Sequence, residues 1–171
     1  MQEKMNAWSQ TLFQLLQNLV AVMTIVLLLF TFAGRVYAVD GASMLPTLQD
    51  SAPILIQKAG YTPAAGDIVV LVKPTFRDGD PIVKRIIATG GQSVDIDYAS
   101  NTVFVDGEAL AEPYILEPMR EFPPEYAVSV QVPPGSIFVM GDNRNGSGDS
   151  RDPALGVVDV RYVMGRVLFV D

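Results

Sequence analysis

The sequence predicts an antiparallel all-β domain, with a β-sheet or barrel-like form, preceded by one amino-terminal transmembrane helix. Three observations lead to this fold class. Residues 13–34 form a long apolar run without a charge. The rest of the chain divides into short β-rich runs that end at glycine or proline. No soluble helices alternate with these runs, as a parallel βαβ fold would require.

The apolar run is long enough to cross a bilayer, because the hydrocarbon core takes roughly 20 helical residues. We therefore predict a short tail at 1–12, a transmembrane helix at 13–34 and a β-rich domain at 35–171. The main alternative is a cleaved signal peptide, since small residues at 36 and 38 resemble a cleavage site. Lys4 and Arg35 balance the charge of the two flanks and leave the orientation undecided.

Short runs rich in valine and isoleucine predict the strands of the domain. These runs lie within 52–60, 66–74, 80–91, 93–110, 126–143 and 156–171. Turns are expected at 98–101, 106–109 and 132–135, where glycine, proline, asparagine and aspartate accumulate. The proline-rich segment 112–126 predicts an extended loop between strands.

The composition excludes several classes of function. The 171 residues carry a net charge of -7, without a lysine- or arginine-rich run, which argues against binding to nucleic acid. The chain has no cysteine and no histidine, so thiol catalysis, the usual zinc sites and a Ser-His-Asp triad are all excluded. We expect neither a metal nor a cofactor, and a nucleophilic serine would need another base.

Ser43 is a candidate nucleophile, because it lies in the stretch VDGASMLPTL directly after the apolar run. A lone serine before proline is more often a turn residue. A desolvated lysine can act as the base of a serine near neutral pH, and Ser-Lys pairs are known variants of the triad. Lys84 is the best candidate, since Ile82 and Ile86 share its face of a predicted strand. The alternative is a surface lysine that snorkels from an edge strand.

The polar stretch GDNRNGSGDSRD, residues 141–152, interrupts the apolar strands near the end of the chain. An ordinary polar loop is one interpretation, and a calcium loop is another. The spacing argues against calcium, because counted from Asp142 the glycine falls at the fifth place, whereas a calcium loop has it at the sixth.

Three stretches in this order resemble the type I signal peptidases. GASMLPTL is similar to the serine box of that family, DPIVKRIIATGG to its lysine box and GDNRNGSGDSRD to its Gly-Asp-Asn-Arg box. GDIVV and VFVDGEALAEPY resemble further segments, so the similarity covers about residues 8–171. A single transmembrane run and a short middle region resemble the compact, single-span form of the family.

The resemblance implies Ser43 as the nucleophile and Lys84 as the general base. It places the substrate and the developing oxyanion near Gly41, Met44 and Pro46. Position 41 is glycine where one branch of the family has a serine or threonine hydroxyl that helps the oxyanion. We therefore expect the Ser43 N–H as one oxyanion donor, and a second donor is not identified by the sequence.

The same resemblance gives supporting roles within the polar stretch. Ser147 matches the serine that holds the lysine, Asp149 and Arg151 match a structural ion pair, and Gly141 matches the glycine that opens the box.

The implied function is a membrane-bound serine endopeptidase that removes signal peptides from exported preproteins after small residues at the -3 and -1 positions. The implied partners are preproteins, the lipid bilayer and the export machinery. The implied orientation has a cytoplasmic amino terminus and an extracytoplasmic domain. The alternatives are a differently specific Ser-Lys hydrolase, such as a self-cleaving repressor, and an inactive membrane-anchored binding domain of the same fold.

Overall fold

The structure, a computed structural model, describes residues 2–32, 35–120 and 129–169. The chain divides into two compact units, Met1–Arg35 and Val36–Asp171. The first unit consists of helix α1 (Gln2–Phe32). Its stretch Gln10–Leu27 has a mean hydropathy of 1.5 and none of it is buried, so it is apolar and long enough to cross a membrane. Residues 33 and 34 of the predicted span lie outside the described residues.

The second unit contains two β-sheets. The strands are β1 (Arg35–Ala38), β2 (Pro53–Gln57), β3 (Ile68–Leu71), β4 (Ile82–Thr89), β5 (Ser93–Asp97), β6 (Thr102–Val105), β7 (Glu108–Ala109), β8 (Ser129–Gln131), β9 (Ser136–Met140), β10 (Val158–Asp159) and β11 (Val163–Phe169). The larger sheet has seven strands in the order β1-β2-β11-β3-β4-β9-β10, and the smaller has four in the order β7-β6-β5-β8. From β2 to β10 every pairing in the larger sheet is antiparallel, as are all pairings in the smaller one.

The antiparallel all-β prediction is confirmed. After residue 35 the described helical structure is limited to two 3-10 turns of three residues each, Arg77–Gly79 and Val160–Tyr162. Two details differ from the prediction. β1 lies before the first predicted strand. The sequence did not indicate it, because its four residues directly follow the apolar run and show no separate pattern of their own. Glu108–Ala109 forms a short strand where a turn was expected, since Asp106 and Gly107, both with positive φ, complete the reversal alone.

Strand β4 lies in the middle of the larger sheet, and six of its eight residues are buried. Its apolar side chains contribute to three separate hydrophobic clusters, one with Ile82 and Ile86, one with Ile87 and one with Val83. Both faces of β4 are therefore covered by packed side chains. Lys84 is one of the buried residues of this strand, whereas Arg85 and Thr89 keep partial contact with solvent.

Candidate active site

The candidate nucleophile lies in a turn between β1 and β2. Met44 is fully buried and anchors this turn in a hydrophobic cluster, while the neighbouring Ser43 remains half-buried. Gly41 has φ +87°, a conformation that favours glycine, and its N–H donates to Asp50 Oδ1 at 2.8 Å. Pro46 is exposed on the outer side of the turn. The turn thus presents the Ser43 hydroxyl from a backbone that is fixed on both sides.

Lys84 meets Ser43 across this turn. Its Nζ lies 2.7 Å from Ser43 Oγ, and it also donates to the carbonyl of Val83 at 2.8 Å. The ammonium form donates to Ser43 Oγ, whereas the neutral amine can accept the hydroxyl proton over the same distance. The side chain is only 3% exposed, and β4 pairs with β3 on one side and β9 on the other. The edge-strand alternative for Lys84 is therefore wrong.

Burial controls the acidity of Lys84. Desolvation lowers its pKa from the ordinary 10.5 to about 8, because a buried ammonium loses its hydration. Asp149 and Asp142 act in the opposite direction by attracting the positive charge, while Arg77 and Arg151 favour the neutral amine. Desolvation is the largest of these effects. A substantial share of the amine is consequently neutral near pH 8, as a general base requires.

The polar stretch 141–152 follows β9 and contains a buried ion pair. Arg151 Nε donates to Asp149 Oδ1 at 2.8 Å, and both side chains are fully buried. Asp149 also accepts the Gly141 N–H at 3.0 Å, and Arg151 donates to the Arg144 carbonyl at 2.7 Å. The pair thereby connects the beginning, middle and end of the loop. Because its charges compensate each other, it can remain buried without a net charge beside the amine.

Ser147 is buried in the same loop. Its Oγ makes no hydrogen bond within the described residues, and Lys84 donates to Ser43 and Val83 instead. Ser147 packs against Gly141. A Cβ at position 141 would collide with the Ser147 side chain and would come within 2.5 Å of the Ser43 carbonyl oxygen. Gly141 is therefore required by close packing, whereas a direct Ser147–Lys84 contact stays a prediction.

Arg85 and Asp142 form a second polar pair that the sequence analysis did not identify. Arg85 donates to both Asp142 oxygens, at 2.8 and 2.6 Å, and its guanidinium lies 4.0 Å from the ring centroid of Tyr114. Thr47, from the nucleophile turn, donates its hydroxyl to Asp142 as well. The sequence did contain signals for this pair: Arg85 is a cation next to Lys84 on a predicted strand, and Asp142 is a carboxylate next to Gly141. Their pairing became visible only with the sheet register.

Glu112 and Arg144 form a third such pair. Arg144 is fully buried and binds both carboxylate oxygens of Glu112, one of them at 2.8 Å. Glu112 also accepts the hydroxyl of Tyr114 at 3.1 Å. This pair attaches the beginning of the proline-rich segment to the polar loop. Residues 112–120 contain neither helix nor strand, as predicted, and residues 121–126 lie outside the described residues.

Two carboxylates of the polar loop are paired with arginines. Asp142 pairs with Arg85 and Asp149 with Arg151, which gives the loop a role other than calcium binding. Among the described residues no group of three histidine, cysteine, aspartate or glutamate side chains could hold a metal ion.

The chain was compared with known protein families, and residues 12–170 match the model of the family described as signal peptidase, peptidase S26. The chain belongs to the signal peptidase family. The family resemblance of the three sequence boxes is thus confirmed, together with the assignment of the chain as a serine endopeptidase. Because the match includes most of the apolar helix, it also argues against a self-cleaving repressor.

Individual relatives of this signal peptidase support the assignment. The chain is 36% identical to the probable signal peptidase I-1 of Synechocystis sp., over 88% of this chain and 78% of the relative. It is 33% identical to signal peptidase I of Bacillus licheniformis, over 99% of this chain and 93% of the relative. A crystal structure of a signal peptidase I from Enterococcus faecalis is 32% identical, with a TM-score of 0.52, over 64% of this chain and 98% of that one.

Proposed function

We propose that Ser43 and Lys84 are the catalytic dyad with which this membrane serine endopeptidase removes signal peptides from exported preproteins. The observation that carries the proposal is the 2.7 Å approach of a fully desolvated amine to a serine hydroxyl in a chain without histidine. The approach alone would be a common polar contact. Combined with a pKa of about 8 for Lys84, it provides a base that is able to accept the serine proton.

The reaction follows from this geometry. The neutral Lys84 amine takes the Ser43 proton while Oγ attacks the carbonyl carbon of the scissile peptide bond. The resulting ammonium returns that proton to the departing amine, so the bond breaks and an acyl-enzyme remains. Water then attacks the acyl-enzyme while Lys84 again accepts a proton, and Ser43 is regenerated. A single buried amine therefore serves both halves of the reaction.

The oxyanion of each tetrahedral intermediate needs hydrogen-bond donors. Gly41 provides no hydroxyl, and the Ser43 N–H donates no hydrogen bond within the described residues. We assign the Ser43 N–H to the oxyanion. The preprotein binds in an extended form along a strand edge, and shallow pockets select small residues at the -3 and -1 positions by excluding larger ones.

Helix α1 is long and apolar enough to act as a membrane anchor. The proposed orientation has residues 1–12 in the cytoplasm, a span over 13–34 and residues 35–171 on the outer side. Ser43 follows Gly34 by only nine positions in the sequence, a reach of about 30 Å when extended. This length suits cleavage beside the bilayer, where a preprotein leaves the export machinery.

The test is incubation of the full-length protein in detergent with a preprotein, followed by sequencing of the new amino terminus. Ser43→Ala and Lys84→Arg should both abolish cleavage, because the first lacks the nucleophile and the second keeps its proton at any workable pH. Lys73→Arg is the matched control, since Lys73 donates to the Leu155 carbonyl and is not part of the dyad. Cleavage by either dyad variant at a near wild-type rate would contradict the assignment. Binding of the preprotein by the wild-type protein without any cleavage would favour the inactive-domain alternative.

Ser147→Ala tests the remaining role implied by the family. If the Ser147 hydroxyl orients the Lys84 amine during the reaction, the variant should lower kcat much more than it raises KM. An unchanged kcat would limit Ser147 to the packing against Gly141 that the structure shows.

A further inference from the structure

Asn143 contacts the backbone on both sides of the nucleophile. Its side-chain Nδ2 donates to the Ala42 carbonyl at 3.1 Å, and its main-chain N–H donates to the Ser43 carbonyl at 3.1 Å. These bonds join residues that are about one hundred positions apart in the sequence. The Ala42 carbonyl also accepts the Leu45 N–H at 3.2 Å, but no other described residue binds both of these carbonyls.

The orientation of the Asn143 amide is fixed by its surroundings. Its Oδ1 accepts the N–H of Gly146 at 3.1 Å while Nδ2 faces the Ala42 carbonyl. A rotated amide would place a donor against the Gly146 N–H and an acceptor against the Ala42 carbonyl, and both hydrogen bonds would be lost. Asn143 therefore always presents a donor to the Ala42 carbonyl.

Control of the Ala42 carbonyl also controls the Ser43 N–H. The two groups belong to one peptide unit, which is planar, so in the usual trans form the N–H points opposite to the C=O. A donor that fixes the carbonyl thereby fixes the direction of the N–H. Gly41, at the preceding position, adds no side chain that could restrict this peptide unit.

We propose that Asn143 is a positioning residue that aims the Ser43 N–H at the oxyanion by holding the Ala42–Ser43 peptide unit. The proposal rests on the proposed role of Ser43 as nucleophile. It adds a function for the third residue of the polar loop, which contacts neither the Lys84 amine nor the Ser43 hydroxyl in the described hydrogen bonds.

Gly146 provides an independent way to disturb Asn143. A Cβ at position 146 would lie 2.6 Å from Asn143 Nδ2 and 3.0 Å from its Cγ. Gly146→Ala should therefore push the amide away from Ala42 while leaving Asn143 in place. The two substitutions act on one hydrogen bond, so their effects should not add.

The experiment measures kcat and KM of the full-length protein in detergent on a preprotein substrate. Loss of an oxyanion donor typically costs 10²–10³ in kcat, and a misaimed donor should cost less, about 10- to 100-fold. We expect this loss for Asn143→Ala and Gly146→Ala, with KM changed by less than about twofold. The kcat of the double variant should lie within about threefold of the kcat of the slower single variant.

Two further measurements separate positioning from a general structural role. A peptide aldehyde forms a hemiacetal on Ser43, so its inhibition constant should rise in parallel with the loss of kcat. The corresponding peptide alcohol makes no such bond and should bind as before. The pH at which activity rises should be unchanged in Asn143→Ala, because the Lys84 amine is not touched.

Asn145→Ala is the matched control in the same loop. Asn145 donates to Glu117 and to the Pro118 carbonyl, and accepts from the Arg120 N–H, so it holds the proline-rich segment and makes no described bond to residues 42 or 43. Its kcat should stay within about threefold of the wild type, a range typical of a lost surface contact. Melting temperatures of all variants confirm that assays are run on folded protein.

The proposal is overturned if Asn143→Ala keeps a kcat within about threefold of the wild type, since a donor that matters to the oxyanion cannot be lost without cost. It is also overturned if the aldehyde and the alcohol lose affinity equally. If Asn143→Ala fails to fold, Gly146→Ala decides by the same criteria. Failure of the proposed dyad would appear separately, as cleavage by Ser43→Ala.

Discussion

The two sheets of the domain differ in whether charged side chains are buried in or beside them. The fully buried charged residues that the structure describes lie on β4 of the larger sheet and in the loop after β9. They are Lys84, Asp142, Arg144, Asp149 and Arg151. In the smaller sheet, Asp97 is exposed at the end of β5 and Asp106 is exposed in the turn between β6 and β7. Their carboxylates accept hydrogen bonds from neighbouring residues and face solvent.

This difference follows from how many faces of a strand are covered. β5 alternates between buried and more exposed residues, as expected for a sheet with one face in water, whereas β4 is buried on both faces. A cation on a strand like β5 can reach solvent, so its pKa stays near the ordinary value. Lys84 has no such route. The larger sheet therefore lowers the pKa of the proposed base, and the arginine–carboxylate pairs compensate the other charges that are buried beside it.

The largest expected effect concerns the ion pair of the larger sheet. Asp149→Asn removes the carboxylate charge that pairs with the buried Arg151. Removal of one partner of a buried pair typically destabilises a protein by about 3–5 kcal/mol. We expect a loss of this size in the free energy of unfolding, measured by denaturation of the full-length protein in detergent. A loss below about 1 kcal/mol is typical of exposed ion pairs. Such a result would show that this buried pair contributes no more to stability than a pair on the surface.

The pH dependence of catalysis tests the desolvated base directly. The proposed base Lys84 acts as the neutral amine, and its pKa is lowered to about 8, so we expect kcat/KM to rise with pH through about 8. Between pH 6 and pH 8 the neutral fraction, and therefore the rate, should increase about 50-fold. A rise centred near the ordinary lysine value of about 10.4 would mean that the strand does not desolvate Lys84.

Lys84→Met should stabilise the folded protein even though it removes the base. The pKa of Lys84 is lower in the folded state than its unfolded value of 10.5, so the folded state is penalised wherever the amine is protonated. At neutral pH the substitution should add about 1–3 kcal/mol to the free energy of unfolding, after allowance for the hydrogen bond lost at Val83.

The pH dependence of that gain provides the control. Stability of the wild type should rise between about pH 8 and pH 10.5 as the unfolded state binds more protons, so the advantage of the Met variant should shrink over this range. If Lys84→Met were less stable than the wild type at neutral pH, the result would contradict the conclusion that desolvation disfavours the Lys84 ammonium in the folded state.

The smallest effect is expected in the smaller sheet. Hydrogen bonds, first of all from the Ser93 N–H, lower the pKa of Asp106, but this carboxylate is exposed. Asp106→Asn keeps an oxygen that can accept from Ser93, and asparagine tolerates the positive φ of this position. Neither the melting temperature nor the pH at which activity rises should change measurably. A clear shift in either would show that the smaller sheet is coupled to the site.

Much of the fold could be predicted because its signals are local. The apolar run, the alternating strands and the glycine and proline turns are each recognised from residues that are close together in the sequence. All strands except β1 lie within the predicted runs, and the helix covers the apolar run as far as Phe32 but already begins at Gln2. The polar partners could not be predicted in this way. Arg85 pairs with Asp142 over 57 residues and Arg144 with Glu112 over 32, and no local pattern specifies such pairs.

By itself the sequence determined the element types, the absence of histidine and thiol chemistry, and the serine and lysine boxes that identify the family. Only the tertiary structure decided that Lys84 is buried beside Ser43 and is not a surface lysine. The reason is that the pKa of an amine depends on all the groups that exclude water from it. For Lys84 these groups come from β3, β9, the Ser43 turn and the polar loop, and they meet only after the larger sheet has formed.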